Sequence, residues 1–108
     1  MDTVGKRLFE DTDMTGTLAS EPVSLHNMVH IGIHSTWTGT PSGDIYFEVS
    51  GEMGEPTTWE ILDSANVAGA GSQFWIDRNA PYRWARVRYV PSSGTGLLTT
   101  HAITKGDE

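Results

Sequence analysis

The sequence predicts an all-β domain: a small antiparallel β-sandwich or jelly-roll-like barrel with an extended N-terminal arm. Three observations carry this. Apolar and polar residues alternate with period two over 28–37, 44–50 and 82–90, the pattern of strands with one buried face. Clusters of Gly, Pro, Ser and Thr interrupt the chain roughly every eight to twelve residues, as in sandwiches and barrels. The 12 glycines and 5 prolines are accompanied by no long helical pattern.

Residues 1–22 have no sustained period and read as an arm or edge segment, with 23–108 forming the sandwich. Leu8 and Phe9 can pack, and Asp11 to Gly16 has turn composition. Asp11 and Asp13 lack the further oxygen ligands, closing Glu and flanking helices of a calcium loop. The first clear strand is 28–37, where Val29, Ile31, Ile33 and Trp37 alternate with His30, Gly32, His34 and Thr36. A turn over 38–43 follows, then a strand at 44–50 with Ile45, Phe47 and Val49 on one side. Two alternating strands across a Gly/Pro turn predict a hairpin.

After a second turn cluster at 51–56, a short strand at 57–62 is expected to bury Trp59 and Ile61. Residues 63–72 (DSANVAGAGS) read as a small-residue loop. The strand at 73–77 turns either Phe74 and Ile76 or Trp75 inward, and Asn79-Ala80-Pro81 is a turn. Over 82–90 (YRWARVRYV) Ala85, Val87 and Tyr89 make the better core face, which leaves Trp84, Arg86 and Arg88 on a more open one. A turn at 91–96, a last strand at 97–104 and a polar tail complete the chain.

At 108 residues the chain is one domain with a modest core, which self-assembly or a partner would support. It has no cysteine, so no disulfide offsets that core. No apolar run approaches the ~18 residues of a membrane span, and the first residues lack the apolar segment of a signal peptide. No membrane partner is expected. The net charge of −7 disfavours general nucleic-acid binding. Yet four of the seven basic residues fall between Arg78 and Arg88, a patch suited to an acidic neighbour, including another copy of the chain.

Motifs for chemistry are missing. His26, His30, His34 and His101 come with no Cys and no HExxH, so neither a metal site nor a cofactor is expected. There is no GxSxG elbow and no phosphate loop. Carboxylate pairs such as Glu48 with Glu60 or Asp44 with Glu55 could meet across a sheet, but a glycosidase needs such a pair beside a cleft, and short loops leave little room for one. No enzyme activity is expected. Trp84, Arg86 and Arg88 form the best surface candidate, since Trp and Arg are enriched where proteins meet. The competing account pairs the arginines with acids on neighbouring strands. Phe9 and Met14 of the arm are further interface candidates. Trp75 and Trp84 are candidates for sugar stacking, because exposed aromatic rings stack on sugars.

Taken together, Trp37, Gly39, Gly43, Ser50, Trp59, Tyr82, Arg86, Val87, Tyr89, Ser93, Gly94 and Gly96 form a pattern that resembles small phage-encoded virion structural proteins. It spans about residues 23–106. This chain carries Gly51-Glu-Met-Gly where that group usually has Asn-Asp or Asp-Gly. The resemblance implies a non-enzymatic β-sandwich, a capsid decoration (cement) or minor capsid protein. It would be made in the host bacterial cytoplasm and located on the virion, at the capsid surface or a vertex. Its partners would be further copies of itself, a trimer being admissible, and a major capsid or other virion protein. The alternative is a carbohydrate-binding β-sandwich module used for attachment.

Overall fold

The computed structural model describes residues 3–25, 30–78 and 81–106. Among them are nine strands and no helix: β1 (Thr3–Asp13), β2 (Leu18–Ala19), β3 (Val23–Ser24), β4 (His30–Gly39), β5 (Ser42–Ser50), β6 (Glu60–Ala68), β7 (Gly71–Asp77), β8 (Trp84–Ser93) and β9 (Gly96–Lys105). They form two antiparallel sheets, ordered β1-β9-β4-β7 and β2-β8-β5-β6, with β3 also on β8. The all-β class is therefore as expected, and the architecture is a sandwich. The expected strand start at Met28 and Val29, His26, and the turn residues Asn79 and Ala80 lie outside the described residues.

The connection between β4 and β5 is not a hairpin. β4 pairs with β9, from His30 opposite Lys105 to Gly39 opposite Gly96. β5 pairs with β8 in the other sheet, from Ser42 opposite Ser93 to Ser50 opposite Trp84. The β4–β5 and β8–β9 connections thus run side by side and carry one long two-stranded ribbon from sheet to sheet. The β1–β2 and β6–β7 connections cross at the same end. The molecule is in effect one sheet of long strands folded in half. Alternation says that a strand has a buried face, not which strand lies beside it, so both arrangements satisfy the same pattern.

The fold line is built from tight backbone approaches. Gly39 and Gly94 have φ of +87° and +84°, a region open to glycine at little cost. The Thr40 amide donates to the Thr95 carbonyl at 2.8 Å, and the Gly69 amide donates to the Pro41 carbonyl at 2.9 Å. Trp37 Nε1 donates to the Gly69 carbonyl at 2.8 Å. The Trp37 and glycine positions of the recurring pattern therefore mark where the sheet folds over.

Between the layers lie Ile31, Ile33, Trp37, Ile45, Phe47, Val67, Ala85, Val87, Tyr89, Leu98 and Ala102. Ala85, Val87 and Tyr89 face inward as expected. Ser35 and Thr100, also buried, satisfy each other across β4 and β9 at 2.8 Å. Two expectations are overturned on the β6–β7 side. The small-residue stretch 63–72 is not a loop, because β6 runs on to Ala68 and β7 starts at Gly71. Pairing to β5 overrides the weak strand propensity of Asp, Ser and Asn. Ile61 is exposed and Trp59 only half-buried. On β7, where either phase was open, it is Trp75 that points into the core while Phe74 and Ile76 face solvent.

Candidate functional site

Three surfaces carry side chains with something to do. The first is the outer face of the β8–β5 sheet. Register places Arg86 opposite Glu48 and Arg88 opposite Tyr46. Arg86 Nε donates to Glu48 Oε1 at 2.7 Å and Arg88 Nε to Glu48 Oε2 at 2.9 Å. Glu48 is only 3% exposed, so one buried carboxylate holds two guanidinium groups, each with a charge-assisted bond. The Arg86 guanidinium lies 4.4 Å from the Trp59 ring centroid, and that of Arg88 lies 4.6 Å from that of Tyr46. The order across the face is Trp59, Arg86, Glu48, Arg88, Tyr46. The two arginines expected at an interface are thus paired within the chain: the carboxylate accepts the Nε–H of each, and an aromatic ring lies against each guanidinium.

The second surface is the loop between β5 and β6. Here the carboxylate of Glu52 accepts from the Thr57 amide (2.6 Å), the Thr58 amide (2.7 Å), Thr57 Oγ1 (2.9 Å) and Thr58 Oγ1 (3.1 Å). Trp84 Nε1 donates to the Glu52 carbonyl at 3.2 Å, and the Glu52 amide donates to Ser50 Oγ at 3.3 Å. The four bonds to the carboxylate, led by those from the Thr58 and Thr57 amides, hold the Glu52 carboxyl at a pKa of about 2, against an ordinary 4.5. Since the folded-state value is depressed, the stabilisation of this loop is fully present above about pH 4.5. It is lost as the pH falls through about 2. NMR titration of the Thr57 and Thr58 amide shifts is expected to give a midpoint near 2, absent in Glu52→Gln; a midpoint near 4.5 would show that the carboxylate is not gripped.

The third surface is the outer face of the β9–β4–β7 sheet. Gly32 sits opposite Ile76 on one side and Ile103 on the other. With no side chain there, Phe74, Ile76 and Ile103 surround an open groove of about 400 Å³, rimmed by His30, Arg78 and Lys105. Phe74 stacks on His34, with ring centroids 5.2 Å apart, and His34 is directly opposite His101. Although these histidines share a face, no three His, Asp or Glu side chains among the described residues converge to hold a metal ion.

The candidate residues from the sequence are thus scattered. Phe9 and Met14, expected on an interface, are buried in the core of the chain itself. β1 hydrogen-bonds along β9 and turns Phe9 inward, and the Met14 amide donates to the Gly96 carbonyl. Trp75 is 6% exposed and tilted against Phe47, so it offers no ring to a sugar. Trp84 is half-buried and tied to the Glu52 loop. Phe74, Ile76 and Ile103 did not figure among the candidates. The signal was the phase of 73–77: once the largest side chain, Trp75, is taken as inward, its neighbours must face out.

No protein-family profile matches the sequence, and no characterised protein matches it in sequence. Solved structures do match in fold. The SPBc2 prophage-derived protein YomS superposes with a TM-score of 0.60 at 17% identity, over 96% of this chain and 95% of that one. The PBSX exported protein XepA gives 0.73 at 14% identity over 97% of this chain, but only 38% of that longer molecule. Chitosan-binding module 1, derived from a chitosanase/glucanase of Paenibacillus sp. IK-5, gives 0.52 at 18% identity, over 94% and 92%. At these identities the likeness is one of fold. The small β-sandwich implied by the sequence resemblance is the fold found, and a prophage-derived protein has it from end to end.

Proposed function

We propose that this chain is a non-enzymatic structural protein of a phage particle, a capsid decoration or minor capsid protein that works through protein–protein contacts. The observation that carries this reading is the end-to-end likeness to the prophage-derived YomS, with 96% of one chain laid on 95% of the other. The surface supports it. An acidic chain of net charge −7 carries an apolar face with a cationic rim, and such faces are used to bind proteins. A domain with a modest core also gains stability from being held in a lattice. The partners in this reading are further copies of the chain and a major capsid protein, and the site of action is the capsid surface or a vertex.

Carbohydrate binding is the second reading, favoured by the likeness to the chitosan-binding module. Against it stand the burial of Trp75 and the tie between Trp84 and Glu52. Purified particles of the phage that encodes the chain are expected to contain it at a fixed copy number, by quantitative mass spectrometry and antibody labelling. Recovery only from the soluble lysate would overturn the structural reading. A glycan array is expected to be blank, and a reproducible signal lost in Trp84→Ala would put the carbohydrate reading first.

A further inference from the structure

The groove and the Glu52 loop complement each other. The loop follows β5, in the sheet opposite the groove. Met53 stands out from it 78% exposed, beside the exposed Glu55. Its backbone is already ordered by the bonds gathered on Glu52, so little freedom is left to lose on binding. An unbranched thioether side chain adapts well to an irregular apolar surface. The groove offers Phe74, Ile76 and Ile103 as walls, with Arg78 and Lys105 at its rim. One partner is the apolar Met53 with the acidic Glu55 on its outer side and Arg83 lining the hollow beneath it, the other is apolar with basic flanks, and they lie on different sheets of the molecule.

Resting on the reading that the chain assembles with itself, we infer that the groove of one copy receives the 51–59 loop of a second. Met53 enters between Phe74, Ile76 and Ile103, and Glu55 faces Arg78 and Lys105. The contact joins two different patches. Repeated, it closes into a ring if the rotation allows, or extends as an open chain. Charge favours the pairing, because groove against groove brings the cations Arg78 and Lys105 to their own copies, whereas Glu55 in the groove meets opposite charge.

The test uses Met53→Asp and Ile76→Asp, both at exposed positions (78% and 59%), with melting curves as the folding control. By light scattering on a sizing column and by sedimentation, the wild type is expected to associate as its concentration rises. Each variant alone should need at least about tenfold more protein to do so. Mixed in equal amounts, the two variants should form a one-to-one dimer and nothing larger. The Met53→Asp copy keeps its groove, and the Ile76→Asp copy keeps its loop. If Ile76→Asp abolishes association while Met53→Asp does not, the groove pairs with itself; the inference then fails while self-assembly stands. A mixture that stays monomeric overturns the inference in the same way. A wild type that stays monomeric at millimolar concentration overturns both the inference and the self-assembly on which it rests.

Discussion

Glu48→Leu is expected to lower the melting temperature by about 10–20 °C, corresponding to a loss of about 2–4 kcal/mol. Leucine fits the strand and suits burial, so propensity predicts a benign change. The loss comes from what remains. Arg86 and Arg88, with side chains only 22% and 28% exposed, keep their charges side by side on β8 without the carboxylate that both bind. Removing one member of a buried ion pair is far more costly than replacing the whole group by apolar residues. The triple variant Glu48→Leu, Arg86→Met, Arg88→Leu should therefore recover most of the lost stability in thermal melts monitored by circular dichroism. If the triple melts as low as the single variant, repulsion between the stranded arginines is not the cause. Arg86→Glu with Arg88→Glu should likewise damage folding at least as much as assembly, since it places three carboxylates together. An assembly defect with an unchanged melting temperature would return these arginines to an interface.

Gly94→Ala is expected to be the most damaging single-methyl change in the chain, leaving the domain largely unfolded at 37 °C. A Cβ at Gly94 would lie 2.0 Å from the Thr40 carbonyl oxygen and 3.0 Å from its carbon, both backbone atoms of the adjacent crossing. The backbone is also at φ +84°. Neither conflict can be relieved by a side-chain rotation, so the ribbons must separate at the fold line. That loss is set against a total stability of only about 5–15 kcal/mol for a typical domain. Gly69→Ala is the control. Its φ of +77° gives comparable strain, but nothing lies within 4 Å of the added methyl, so a cost of about 1 kcal/mol is expected. Denaturant melts of the two variants separate strain from collision, and similar losses would mean that the crossing can open to admit a methyl group.

The turn residues Gly39, Gly43, Gly94 and Gly96 were legible as turns. That both turns cross between sheets, one against the other, was not legible, because a turn signature is local and the contact joins residues about fifty positions apart in the chain. Arg86 and Arg88 were legible as a stripe on one face of β8, and pairing with Glu48 stood among the alternatives. The choice needed the register that sets Glu48 directly opposite Arg86. Phe9 and Met14 were misassigned because residues 1–22 lack a period. Order from Thr3 to Met14 comes from pairing along β9 and from burial, not from any intrinsic strand preference.

The all-β class, the core faces of β4, β5 and β8, and the position of the main turns were readable from the residues alone. The physical reason is that side chains of a pleated strand alternate between two faces, so a period of two already separates inside from outside. Which strands are neighbours, which face of β7 is buried, and where the apolar and charged side chains on the outside meet emerge only in the folded chain. Those depend on pairing between distant segments. Backbone hydrogen bonding, nearly the same for every residue but proline, leaves partner choice to long-range packing. The Gly32 groove, with walls from β4, β7 and β9, exists only once that choice has been made.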